Sequence, residues 1–135
     1  MNFFKGSLKD GAFQMGEVSI EVSEGKMKVL RNQGYVNKDI ILGIRPEDFH
    51  DEPLFIDASR GTKVTIKVEV SELMGAETML YSQINNQSFV ARVDARAEVL
   101  AGQPLELALD MNKVHFFNII EETNEKKKRM NCYQV

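Results

Sequence analysis

The chain has 135 residues, 43% apolar and 27% charged, the balance of one ordinary globular domain or a compact pair of small subdomains. With 17 Lys and Arg against 20 Asp and Glu the net charge is -3, so no cationic surplus exists to neutralise a phosphate backbone and no nucleic acid is expected as a partner. No apolar run approaches the ~18 residues of a membrane span, the amino end lacks a basic-then-apolar leader, and the single cysteine, Cys132, permits no intrachain disulfide; a soluble intracellular chain without direct membrane insertion is expected.

In chain order, residues 3–9 and 18–22 carry the period-2 pattern of short strands. Residues 26–33 place Met27 and Leu30 at helical spacing, with Ser23 as a cap and Gly34 as a stop, which predicts one short helix. Residues 40–45 predict a compact strand whose Ile40, Leu42 and Ile44 face the core, with Gly43 where another group approaches closely. The clearest alternation runs through 62–74, where Val64, Ile66, Val68 and Val70 oppose Lys63, Thr65, Lys67 and Glu69, and it predicts one strand. Residues 79–84 and 89–93 predict a hairpin turning on Asn85-Asn86-Gln87, residue types that tolerate the dihedrals of a tight turn. Leu105, Leu107 and Leu109 mark another strand and residues 113–119 the last. The end, 121–135, runs from acids to the bases 126–129 and reads as a flexible charged tail. Residues 42–50 also echo 107–115, both ending in histidine, as two related β modules would.

Catalytic signatures are missing. A phosphate-cradling loop needs G-x-x-x-x-G-K-[ST], but Gly25-Lys26 is followed by Met27 and has Ile20 where the first glycine belongs. Neither a nucleophile elbow nor an H-E-x-x-H or C-x-x-C pattern occurs. The acids of 47–52 around His50 read as a solvated turn rather than a metal shell. His115, between Val114 and Phe116, shares a strand face with Phe117 and reads as structural. No catalytic, cofactor or metal residue is expected.

Three stretches resemble a known family: Met1-Asn2-Phe3-Phe4 with Gly6; Leu42-Gly43-Ile44-Arg45-Pro46-Glu47; and Val70 with Glu72-Leu73-Met74-Gly75-Ala76-Glu77-Thr78, continuing to Phe89-Val90-Ala91-Arg92-Val93 and His115-Phe116-Phe117. Across about residues 1–120 the chain is similar to the carboxyl-terminal regulatory part of the ATPase subunits of bacterial carbohydrate ABC importers, the family of the maltose and glycerol-3-phosphate uptake systems. One departure is Asp110-Met111-Asn112, where the family often has Asp-Pro-Glu.

The resemblance implies a mainly β fold of paired OB-type β-barrel modules with one short helix, the transport-associated OB arrangement, in two intertwined halves of about 1–52 plus 62–120, followed by the tail 121–135. It implies a noncatalytic regulatory and dimerisation domain, cytoplasmic at the inner membrane face through its complex. The implied partners are a second copy, the ATPase domain and the transmembrane permease subunits; ATP and Mg belong to the parent protein, with no cofactor in this chain. The interface candidates are Arg45, Pro46 and Glu47 on one turn and His115 and Phe117 on one strand face, unless Arg45 and Glu47 merely pair with each other. The alternative is a small oxyanion-binding domain of the same fold class, which would need convergent N–H donors and positive charge.

Overall fold

Alternating buried and exposed side chains build β1 (Asn2–Lys9), β2 (Ala12–Met15) and β3 (Val18–Glu21) into an antiparallel meander. Its turns use Gly11 and Gly16, both at positive φ. In the computed structural model, which describes residues 1–58, 60–94, 101–120 and 131–134, helix α1 (Glu24–Asn32) follows and buries only Met27 and Leu30. Gly34, at φ 79, ends it, and the Tyr35 N–H donates back to the Leu30 carbonyl at 3.1 Å.

Strand β4 (Asp39–Ile44) pairs with β1 on one side and β11 (His115–Ile120) on the other. It is the hinge of the topology. The six-stranded sheet runs β12-β11-β4-β1-β2-β3, so strands from both ends of the chain share one sheet. After a 3-10 turn at Pro46–Asp48 come the two-residue β5 (Phe49–His50) and a second helix, α2 (Pro53–Ala58). This helix departs from the single one expected: six residues expose no helical period, although Pro53 stands at the first position that suits it. Strands β5, β10 (Pro104–Leu109) and β6 (Lys63–Lys67) form a small antiparallel sheet; β7 (Val70–Met74), β8 (Glu77–Ile84) and β9 (Gln87–Asp94) form another.

The single strand expected over 62–74 is therefore two strands in different sheets. At the corner the Val68 N–H donates to Gln103 O, while the Glu69 N–H already bonds Tyr81 O on β8. Ser82 Oγ, buried, donates to Lys67 O at 2.6 Å and holds the corner. The tail also departs from expectation at its end: Asn131–Gln134 form β12, antiparallel to β11, while residues 121–130 lie outside the described residues. Among the described residues no helix is long and apolar enough to cross a membrane.

The core is shared between the early and late segments. Phe4, Leu8, Phe13, Ile20, Ile40, Leu42 and Ile44 pack with Phe49, Leu80, Phe89, Ala91, Leu107 and Leu109 in one cluster. Phe89 sits at its centre, stacked on Phe49 at 5.0 Å and tilted against Phe4 at 5.7 Å. Two side-chain amides also join β1 to β9, which do not pair as strands. Asn2 Nδ2 donates to Val90 O at 2.8 Å while Val90 N–H donates to Asn2 Oδ1 at 2.9 Å. Gln87 Nε2 donates to Lys5 O at 2.9 Å, and Gln87 Oε1 accepts from the Lys5 N–H at 2.6 Å. Each amide behaves as one rung of a missing ladder.

Candidate functional site

Register decides which expected interface residues meet. Phe3, Gly43 and His115 stand side by side across β1, β4 and β11, and Lys5, Ile41 and Phe117 form the next row. Opposed residues share a face. This is the face away from the core, since Phe4, Leu42 and Phe116 occupy the other. Gly43 supplies the space: a Cβ there would lie 2.7 Å from Phe117 Cε2 and 2.8 Å from Met1 Sδ. The Phe117 ring and Met1 thus lie over a bare Cα, and Phe3 meets Phe117 edge-on at 5.6 Å.

The result is a small apolar patch. Ile41 is fully covered at its base, whereas Phe3 and Met1 are 51% and 46% exposed. His115, tilted against Phe117 at 6.4 Å, borders it. Arg45 is extended at φ -80, ψ 151, so the strand parity of Ile41 and Gly43 carries through to it. It is exposed at the patch rim.

Pro46 and Glu47 do not join this group. Pro46 opens the 3-10 turn, whose Asp48 N–H donates to Arg45 O at 3.0 Å. Glu47 faces Arg92 on β9 at 3.6 Å, and the same guanidinium meets Glu77 at 3.0 Å. The pairing of Arg45 with Glu47 is not made; Glu47 instead ties the turn to the β8–β9 hairpin. Met1, Phe3 and Ile41 escaped sequence reasoning, although the Phe3-Phe4 doublet in a strand necessarily sends one ring inward and one out.

The acids of 47–52 diverge. Glu47 goes to Arg92, His50 stacks on Phe55 at 4.0 Å with its Nδ1 3.2 Å from Glu52, and Asp48 turns inward to 5% exposure. Burial pushes the Asp48 carboxyl above its ordinary range, with Lys113 and Arg45 pulling the other way and Glu47 and Asp110 adding to the rise. A carboxyl raised in the folded state binds protons more tightly there than when unfolded. Its contribution therefore turns unfavourable as pH climbs through that window and vanishes in acid, below both values. Asp48→Asn, nearly isosteric, is expected to raise the melting temperature at pH 7 and to change it little at pH 3. A lower melting temperature at pH 7 would show that the charged form is the stabilised one.

A cleft of 430 Å³ opens between β3, α2 and the β10–β11 turn. Among the described side chains it is lined by the acids Glu21, Asp57 and Asp110 and by no Lys or Arg, a lining that disfavours an oxyanion. The departing segment Asp110-Met111-Asn112 lies on its wall and still makes its turn, with Asn112 N–H donating to Asp110 Oδ1 at 3.2 Å.

Two family models match the chain. Residues 1–49 match the MalK OB fold domain and residues 42–117 the TOBE domain. The chain is 52% identical over 118 residues to the oligosaccharides import ATP-binding protein MsmX of Bacillus subtilis, covering 87% of this chain and 32% of that protein. It is 41% identical over 119 residues to the multiple sugar-binding transport ATP-binding protein MsmK of Streptococcus mutans, again with 87% and 32% covered. With the trehalose/maltose import ATP-binding protein MalK of Thermococcus litoralis it shares 30% identity over 120 residues, 87% of this chain and 32% of the relative. The chain thus spans about a third of the length of these curated relatives. Among solved structures, that of the cytoplasmic molybdate-binding protein ModG superposes with a TM-score of 0.63 at 14% identity, over 85% of this chain and 94% of that one, a likeness of fold. With a MalK-type OB segment running into a TOBE segment over residues 42–49, which both matches include, the chain belongs to the TOBE domain family as found in sugar ABC importer ATP-binding proteins.

Proposed function

We propose that the chain is the noncatalytic regulatory and dimerisation domain of the ATPase subunit of a sugar ABC importer. It works in the cytoplasm at the inner face of the membrane, beside an ATPase domain and permease subunits. ATP and Mg are handled by the ATPase domain, and this module contributes surfaces rather than chemistry. The observation that carries the reading is the 52% identity to an oligosaccharide-import ATP-binding protein over 87% of the chain. The geometry adds a surface suited to self-association: exposed Met1 and Phe3 and the edge of Phe117 around Gly43, with Arg45 and Lys5 at the rim. An apolar centre with a charged rim is the anatomy of a protein interface.

Arg45→Glu tests this directly. The side chain is exposed at a strand end, so the monomer's melting temperature is expected to stay nearly unchanged. Self-association, followed by sedimentation velocity, is expected to weaken by roughly tenfold, since a reversed rim charge faces the partner's unaltered rim. Unchanged association would remove Arg45 from the interface.

A further inference from the structure

Two sheet edges face one another where β3, β6 and the end of β8 meet. Strand β3 ends the order β12-β11-β4-β1-β2-β3 and β6 ends the order β5-β10-β6, and the two run side by side without pairing. Hydrogen bonding alternates along each strand. The Val22 N–H donates to Gly11 O on the β2 side and the Val68 N–H to Gln103 O on the β10 side, so the antiparallel alternation turns the N–H and C=O groups of Ser19 and Thr65 away from those neighbours and into the gap. Neither of these two residues has a main-chain hydrogen bond among the described residues.

The gap is a trough of 360 Å³ with closed ends. At one end Asn85 of the β8–β9 turn lies against Gly16, where a Cβ would stand 2.7 Å from Asn85 Oδ1. Beyond the other end the Glu21 side chain crosses onto Gly61, where a Cβ would stand 2.7 Å from Glu21 Cβ. Buried Val64 and Ile84 and half-buried Val18 make the floor, and the exposed hydroxyls and amides of Ser19, Thr65, Gln83 and Asn85 stand along the walls. One lysine and one glutamate, Lys63 and Glu17, complete the lining, so it carries no net charge, and the Lys63 ammonium is 3.8 Å from Glu106.

We propose that this trough is a binding site for a small uncharged polyhydroxylated ligand, a mono- or disaccharide. Each sugar hydroxyl offers one donor and two acceptor lone pairs, the complement of main-chain groups, hydroxyls and amides that themselves both give and take hydrogen bonds. The C–H faces of the sugar ring would rest on Val18, Val64 and Ile84. A volume of 360 Å³, near the bottom of the ~300–1,000 Å³ range of small-ligand pockets, suits one or two rings rather than a long oligomer. An inorganic anion would meet a lysine already turned to Glu106 and a repelling Glu17, and an extended peptide is stopped by the closed ends. The inference goes beyond the regulatory and dimerisation reading and stands without it, because the trough uses none of the residues of the patch on β1, β4 and β11.

The test titrates the full 135-residue chain, isotopically labelled, with glucose and with trehalose, and in parallel with inorganic phosphate and with acetylated tetra-alanine. The expected result is saturable amide shift changes confined to residues 17–19, 63–65 and 83–85 with at least one of the two sugars, half-complete at roughly millimolar concentration, and none with phosphate or the peptide. Because the ligand is uncharged, raising the salt from ~50 to ~300 mM is expected to leave that midpoint unchanged. The double variant Thr65→Ala with Gln83→Ala removes a hydroxyl and an amide from the walls and is expected to weaken binding by roughly fivefold or more. Both side chains are exposed, so an unaltered amide spectrum elsewhere checks that the variant is folded. The proposal is overturned if neither sugar gives a saturable shift, if the shifts lie outside the three segments, if phosphate or the peptide moves the same amides, or if the double variant binds sugar as tightly as the parent.

Discussion

Phe89→Ala is expected to lower stability by about 3–5 kcal/mol and the melting temperature by roughly 10 °C or more. The ring is 3% exposed on β9 and is the contact through which the late hairpin reaches both Phe4 of β1 and Phe49 of β5. Removing it empties a site walled by two other aromatics, which stand on separate sheets and cannot both move inward to fill the space. Phe89→Leu keeps most of the volume and is expected to lose much less, under about 2 kcal/mol. Urea denaturation followed at 222 nm reads both, and a single cooperative transition in each shows the two halves unfolding together. A loss below 2 kcal/mol for the alanine variant would mean that the halves carry independent cores.

That sharing was only partly legible in the residues. Alternation within a strand reports parity, and parity was sufficient for β1, β4 and the β8–β9 hairpin, whose turn places Asn85 and Asn86 at φ 50 and 61 as expected of a tight turn. Parity does not report which sheet a strand joins. From Val64 to Val70 the pattern is unbroken, yet Val68 is fully buried and Val70 is 53% exposed, because the chain changes sheets between them. The bonds that turn this corner come from Gln103, Tyr81 and Ser82, all distant in sequence. The pairing of β11 with β4 is likewise long-range; only the family likeness, not periodicity, pointed to early and late strands sharing a fold.

The candidate surface shows the same limit. His115 and Phe117 were identifiable as a pair on one strand face, and the structure does seat Phe117 over Gly43. That Met1 and Phe3 complete the patch depends on the β1–β4 register, which no local pattern fixes. The sequence offers Glu47 as an interface residue or a partner for Arg45, but its neighbour in space is Arg92 from the hairpin. Adjacent residues in a 3-10 turn point in different directions, so closeness in sequence carried little information there.

Gly6→Val is expected to destabilise by about 3 kcal/mol, and its comparison with Gly43 separates two kinds of close approach. Gly6 lies on β1 between Phe4 and Leu8, on the core face, opposite Ile40 of β4. A Cβ there would stand 2.6 Å from the Gln14 carbonyl oxygen, 2.7 Å from Phe13 Cζ and 3.1 Å from Met15 Cγ. The carbonyl is main chain inside the meander, and Phe13 and Met15 are 0% and 1% exposed, so nothing nearby yields without opening β1 from β2. At Gly43 the obstructing atoms are the ends of Phe117 and of the half-exposed Met1, which have solvent to turn into. Replacing glycine by alanine also removes unfolded-state freedom, worth about 0.4–1 kcal/mol in favour of the folded chain. Gly43→Ala is therefore expected to lie within about 1 kcal/mol of the parent, the strain of shifting Phe117 and Met1 being offset by that gain. Gly6→Ala is expected to remain clearly destabilising despite the same gain, and Gly6→Val more so. Thermal melts of the three variants decide the matter: equal shifts at Gly6 and Gly43 would show that the β1–β2 contact is no tighter than the surface patch, whereas a loss confined to Gly6 places the constraint in the main chain.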